Sequence, residues 1–168
     1  NVVATNTTEG VELVATQGSD TLQIDTVTSL VGQTVFVGRA CIGDPAVPAA
    51  GAAKIALVER GVCTLTEKVA NVEAAGGYDG VVVFNREGAD ACSGLLTMSV
   101  EGTIPAIFVN RPTGYALMND GSYNEAACLA GASQAPFASG TMGDPISVEA
   151  RFNGWGYVHL FSNTLVGG

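Results

Sequence analysis

The chain has 168 residues, 47% hydrophobic and only 14% charged, with a formal net charge of −9. That length fits one domain able to bury its own core. The acid excess, with its seven Lys and Arg scattered along the sequence, argues against a nucleic-acid partner, because phosphate binding needs clustered cations.

Residues 1–20 are Thr-rich and poor in large hydrophobes apart from Val11 to Val14, and read as an N-terminal extension to a domain over 21–150. Asn6-Thr7-Thr8 matches a glycosylation acceptor. Leu22 to Asp25 and Thr34 to Val37 read as early strands, and Gly43 to Ala53 as a loop rich in Pro, Ala and Gly. Pro48, Gly51 and Lys54 interrupt the Ala-rich stretch, and no apolar run is long enough to span a membrane.

Ile55 to Val58 is a short unbroken apolar run, suited to a strand covered on both faces. Glu59, Arg60 and Gly61 break it with charge and flexibility. Thr64 or Thr66 caps the helix that follows, its hydroxyl accepting a bond from an orphan amide. Leu65, Val69 and Val72 recur at helical spacing, and burying each stabilises the fold by roughly 1.5–3 kcal/mol before entropy costs. Gly76 and Gly77 end the helix, since glycine takes the left-handed conformation without steric penalty. Val81 to Phe84 is a second buried strand, and a helix between two such runs makes a parallel crossover unit.

Glu87 to Glu101 is a longer excursion. Ile104 to Val109 forms another strand with Pro105 at its start, followed by Asn110 as cap and Pro112 in the first turn of a second helix. Ile146, Val148, Ala150 and Phe152 alternate with polar residues as a half-buried strand does. Asn153-Gly154 is a hairpin turn leading into Trp155, Tyr157, His159 and Phe161. Residues 151–168 therefore read as a closing strand or the start of another module.

The pieces Lys54-Ile55-Ala56-Leu57-Val58-Glu59-Arg60-Gly61 with Cys63, then Lys68-Val69 and Ala74-Ala75-Gly76-Gly77, then Gly80 to Asn85 and Ile104 to Val109, resemble the protease-associated (PA) domain. They mark out about a third of the chain, and no single fragment would suffice. Two residues depart from the family pattern: Leu65 where an aromatic is common, and Gly77 where Ala often stands. The resemblance implies a mixed α/β fold, a β-sandwich or open barrel with two short flanking helices and a C-terminal β-hairpin. It implies a non-catalytic interaction module of a larger secreted bacterial protein, acting as a lid, a substrate-positioning element or a spacer. Its partner would be a protein, a peptide or a neighbouring domain, and as an isolated domain it would be monomeric. In the family the Arg-Gly-x-Cys turn lies beside a shallow groove. The residues carried over or placed near it are Glu59, Arg60, Gly61, Asn85, Arg86 and Arg111, with Arg60 gripping a carboxylate or a carbonyl through its planar fork.

Cys41, Cys63, Cys92 and Cys128 are widely spaced, without the close pairs or histidines of a zinc site. They read as two disulfides, and hence as an oxidising compartment. Of three connectivities, Cys41–Cys63 with Cys92–Cys128 is favoured, because Cys41 and Cys63 follow neighbouring strands.

Catalytic machinery is sparse. A single histidine rules out multi-histidine zinc peptidase motifs, and neither a Gly-x-Ser-x-Gly elbow nor a phosphate-binding loop is present. No cofactor is expected. Asp90, Asp120 and Asp144 lack the regular spacing of a calcium loop. Two other functions remain as alternatives: a small hydrolase using His159, and a carbohydrate-binding β-module stacking sugars on Trp155 and Tyr157.

Overall fold

The computed structural model describes residues 2–131 and 134–151. The first strands are β1 (Val2–Asn6), β2 (Val11–Leu13), β3 (Thr16–Asp20) and β4 (Leu30–Phe36). The crossover unit follows as β5 (Ile55–Glu59), α1 (Leu65–Ala75) and β6 (Gly80–Phe84). The remainder is β7 (Met98–Glu101), β8 (Ala106–Val109), α2 (Arg111–Leu117), α3 (Glu125–Leu129) and β9 (Met142–Ala150). The strands form one sheet in the order β2-β1-β9-β4-β5-β6-β8-β3-β7. It curls into a half-barrel, the expected mixed α/β architecture. The expected C-terminal hairpin lies outside the described residues.

Strands β4, β5, β6 and β8 run parallel to one another in the middle of the sheet. Ile55 and Leu57 bury into one apolar layer and Ala56 and Val58 into the other, so the unbroken run is what a strand covered on both faces requires. Helix α1 seals the second layer with Val69 and Val72. Helix α2 seals the first with Tyr115 and Leu117.

Local signals act where the sequence placed them. Thr64, rather than Thr66, caps α1 by accepting from the Glu67 amide. Asn110 caps α2 the same way at Thr113, with a proline in the first turn. Gly76 and Gly77 leave α1 at φ of 88° and 84°.

Four expectations change. Residues 2–20 are no extension: β1 pairs with β9, and β3 with β8, so the N-terminal segment is woven into the sheet. Leu22–Asp25 forms no strand; only Ile24 is buried there, while Leu22 is 49% exposed and lacks the partner layer a strand needs. A third short helix, α3, joins the expected two, capped by Asn124. Asn6 is also a poor glycan acceptor. Its side chain is enclosed, donating to Asp144 Oδ2 at 2.8 Å and accepting from the Thr8 and Glu9 amides.

Candidate functional site at the carboxyl-terminal rim of the parallel strands

Four parallel strands end on one rim, and each is followed within three residues by an arginine: Arg39, Arg60, Arg86 and Arg111. Lys68 reaches the same rim from α1, its amine on the Arg39 and Gly61 carbonyls. Five of the seven basic residues, scattered in sequence, are thus gathered at one end of an acidic chain. Parallel topology does this, because it brings every strand's carboxyl end to the same side.

The interior of the rim is an ion network. Glu59 continues the alternation of Ile55 and Leu57 and so points into the sheet's first layer, where it is 2% exposed. Its Oε2 accepts from Arg111 NH1 at 2.7 Å and from the Ala135 amide at 2.8 Å. Arg39 Nε stands 3.2 Å from Glu59 Oε1, a charge contact without hydrogen-bond alignment. Arg39 also pairs with Glu87 at 3.1 Å. Arg111 is 2% exposed; it further donates to the Asn85 carbonyl and to the Tyr115 hydroxyl, and its guanidinium lies over the Phe84 and Tyr115 rings. Burial raises the Tyr115 phenol above its ordinary value.

The outer edge of the rim is different. Arg60 NH1 donates to Asn85 Oδ1 at 3.0 Å, and the same oxygen accepts from the Arg86 amide. Asn85 Nδ2 is anchored on the Gly94 carbonyl, so this amide is a fixed platform for Arg60. Arg86 is held by Asp90 at 2.7 Å. Burial, then the neighbouring Arg86, pulls the Arg60 guanidinium below its ordinary value.

Beyond Arg60 the chain makes a tight turn. The Cys63 amide donates back to the Gly61 carbonyl at 2.9 Å, with Val62 between them at φ of 72°. This is a γ-turn with its central residue at positive φ, a rare and strained form, and a β-branched residue is a poor occupant of it. Val62 is nevertheless 82% exposed. The Cys41–Cys63 disulfide clamps the turn, and Lys68 Nζ donates to the Gly61 carbonyl at 2.8 Å. Ile42, next to the other half-cystine, is also 82% exposed. Lys68 itself is fully buried, with its amine on the Arg39 carbonyl at 2.7 Å and against Cys41 Sγ at 3.5 Å. Burial pulls its pKa down to about 8.

The structure divides the expected site residues into two sets. Arg60, Gly61, Asn85 and Arg86 meet at the outer edge, whereas Glu59 and Arg111 are locked in the buried pair and present no charge to a partner. The sequence reading missed Arg39, Glu87 and the exposed pair Ile42 and Val62. It also noted Lys68 only as part of a motif. One signal for Glu59 was available: it stands two residues after Leu57, in step with the strand. Both disulfides form as expected, Cys41–Cys63 and Cys92–Cys128. Among the described residues, Cys41, Cys63 and Glu67 are grouped closely enough for a metal, but both sulfurs are spent in the disulfide. Asp144 is a buried acceptor for Asn6 and Asn119, Asp90 pairs with Arg86, and Asp120 caps Ser122. Trp155, Tyr157 and His159 lie outside the described residues.

A half-barrel with a parallel centre, an Arg-Gly-x-Cys turn and a capped crossover helix defines the class, and the family model for the PA domain matches residues 2–117. The chain belongs to the PA domain family, the protease-associated modules. Aminopeptidases from two strains of Pseudomonas aeruginosa are 41% identical to it over 69 residues, 39% of this chain and 13% of theirs. Among solved structures it resembles a zinc aminopeptidase from Bacillus subtilis, with TM-score 0.61, 18% identity, and coverage of 89% of this chain and 29% of that one. A subtilisin-like protease from an Antarctic Pseudoalteromonas is also similar, with TM-score 0.52, 18% identity, and coverage of 89% and 32%. The chain therefore spans about an eighth of the curated relatives and under a third of the structural ones. No helix among the described residues is long and apolar enough to cross a membrane.

Proposed function

We propose that this PA domain is the non-catalytic accessory module of a secreted aminopeptidase-like protein, and that its Arg60–Cys63 turn contacts peptide or the neighbouring domain. One observation carries the reading: an exposed Val62 held at positive φ. Positive φ costs an L-residue about 1–2 kcal/mol, and exposure returns nothing for it within the module. Strain of this kind is kept where the surroundings over-determine it, and it clusters at binding sites. The disulfide and Lys68 supply that over-determination. Beside the knob, Arg60 presents a guanidinium whose described hydrogen bond uses only NH1, leaving its other nitrogens for a carboxylate or a carbonyl.

The test is made in the full-length parent protein. Arg60→Ala should slow peptide hydrolysis or weaken the interdomain contact at least about fivefold, while stability stays within ~0.5 kcal/mol, as for other surface substitutions. Val62→Gly should keep or raise stability, by up to about 1 kcal/mol once glycine's larger unfolded-chain entropy offsets part of the relieved strain, yet weaken the same contact. Hydrogen exchange of the Gly61–Cys63 amides should be slower in the parent than in this module alone. A large stability loss in Arg60→Ala, with hydrolysis and exchange unchanged, would assign the turn a structural role instead.

A further inference from the structure

Lys68 is a buried cation whose amine forms no ion pair among the described residues; its contacts are two carbonyls and a disulfide sulfur. Burying a charge without a counter-charge is costly. The missing counter-charge is latent in the neighbouring sulfur, because opening the Cys41–Cys63 bond would place a thiolate on Cys41, 3.5 Å from that amine. We propose that Cys41–Cys63 is a thiol–disulfide exchange site, entered at Cys63 by small cationic thiols, with Cys41 as the leaving sulfur.

Burial sets the direction of entry. Cys41 is 7% exposed beneath the rim, whereas Cys63 is half-buried at the end of the exposed turn. Exchange is faster when the leaving sulfur is the better thiolate, and a nearby ammonium makes it so. The attraction is stronger for being out of water. Release of the Val62 turn from positive φ favours opening further. The choice of thiol follows from the acids around the bond. A Glu67 carboxylate oxygen lies within 4.8 Å of both sulfurs and Asp44 accepts from the Cys41 amide, whereas the Arg60 guanidinium is turned away onto Asn85 with Arg86 and Asp90 as its charged neighbours, so at the attacked sulfur an anionic thiol is repelled and a cationic one drawn in. Arg39 and Glu59 are the other charges facing Lys68.

The step balances. A thiolate attacks Cys63 Sγ, the Cys41–Cys63 bond breaks, and its electron pair leaves on Cys41 against the Lys68 ammonium. A mixed disulfide remains on Cys63. A second thiol resolves it, giving two cysteine thiols and one molecule of oxidised small disulfide. The pair gains two electrons and the small thiols lose them. Opening would release the turn that carries the proposed contact, although the exchange chemistry does not depend on that contact.

The intact module is exposed to cysteamine, quenched in acid, alkylated and mapped by mass spectrometry. Cysteamine should be found on Cys63 and the alkyl group on Cys41. The Cys92–Cys128 bond, both of whose cysteines are buried, should open at least about tenfold more slowly, which also separates local entry from global unfolding. Lys68→Met should slow opening of Cys41–Cys63 about tenfold, and Lys68→Arg should restore most of the rate. Glu67→Gln should narrow the advantage of cysteamine over mercaptopropionate. Should Lys68→Met fail to fold, the wild type decides: its rate per thiolate should fall as the pH passes about 8 and the amine loses its charge. Cysteamine on Cys41, equal opening of both bonds, or a rate indifferent to Lys68 charge overturns the proposal.

Discussion

At the scale of single residues, the rim is governed by charges removed from water. Glu59 and Arg111 are both 2% exposed and 2.7 Å apart, so losing one strands the other. Glu59→Leu or Arg111→Met should each cost about 3–5 kcal/mol in urea unfolding. The double variant Glu59→Leu with Arg111→Met should cost less than the sum, leaving no buried unpaired charge at the pair but the Ala135 amide without its acceptor and the Asn85 carbonyl and Tyr115 hydroxyl without Arg111, while Arg39 keeps Glu87. Full additivity in that cycle would mean the two side chains act independently. Lys68 makes a prediction in pH. Its folded pKa is about 8 against an ordinary 10.5. Between those values the unfolded chain binds more protons than the folded one, so stability rises with pH through that window. Below about pH 8 both states hold the proton, and the cost of the buried charge is fully present. Urea midpoints at pH 7.5 and 10 should therefore rise more in the wild type than in Lys68→Met. Tyrosine titration, common to both proteins, cancels in the comparison.

At the scale of elements, the decisive feature is how closely the helices lie on the strands. Gly114 in α2 sits on β6, where an added Cβ would come within 2.4 Å of the Phe84 ring. Phe84 is fully buried and cannot retreat. Helix propensity favours alanine over glycine by about 1 kcal/mol, but overpacking a filled core costs about 1–3 kcal/mol or more. The packing term should win, and Gly114→Ala should lower the melting temperature; a rise would show that α2 can shift away from the sheet. Helix caps and strand runs were legible because their causes are local. Thr64, Asn110 and the glycines after α1 act on neighbours one to four residues away. The N-terminal strands were misread for the opposite reason. The polar stretch Thr16–Asp20 becomes β3 only because β8 and β7 lie on either side of it.

At the scale of the whole molecule, the sequence favoured one of three cysteine pairings and left the choice to the fold, but by itself it determined the crossover unit, the two-sided burial of its strands and the family resemblance. Each of these follows from periodicity, turn chemistry or short-range order along the chain. The candidate site was legible only in part. Arg60, Gly61, Asn85 and Arg86 stand at strand ends that any parallel reading brings together. The inward turn of Glu59 could be read from its step with Leu57, but its partner could not. Glu59 and Arg111 are 52 residues apart and pair only because β5 and α2 meet across one core layer. Arg39, Lys68 and the Gly61 carbonyl likewise come from separate elements, and their contact depends on how the loop after β4 folds over α1. Side-chain charge can be read from sequence, but desolvation is a property of the packed molecule. Hence the sequence named the turn, and the fold determined that its Val62 is held strained and exposed above a buried lysine with no ion pair among the described residues.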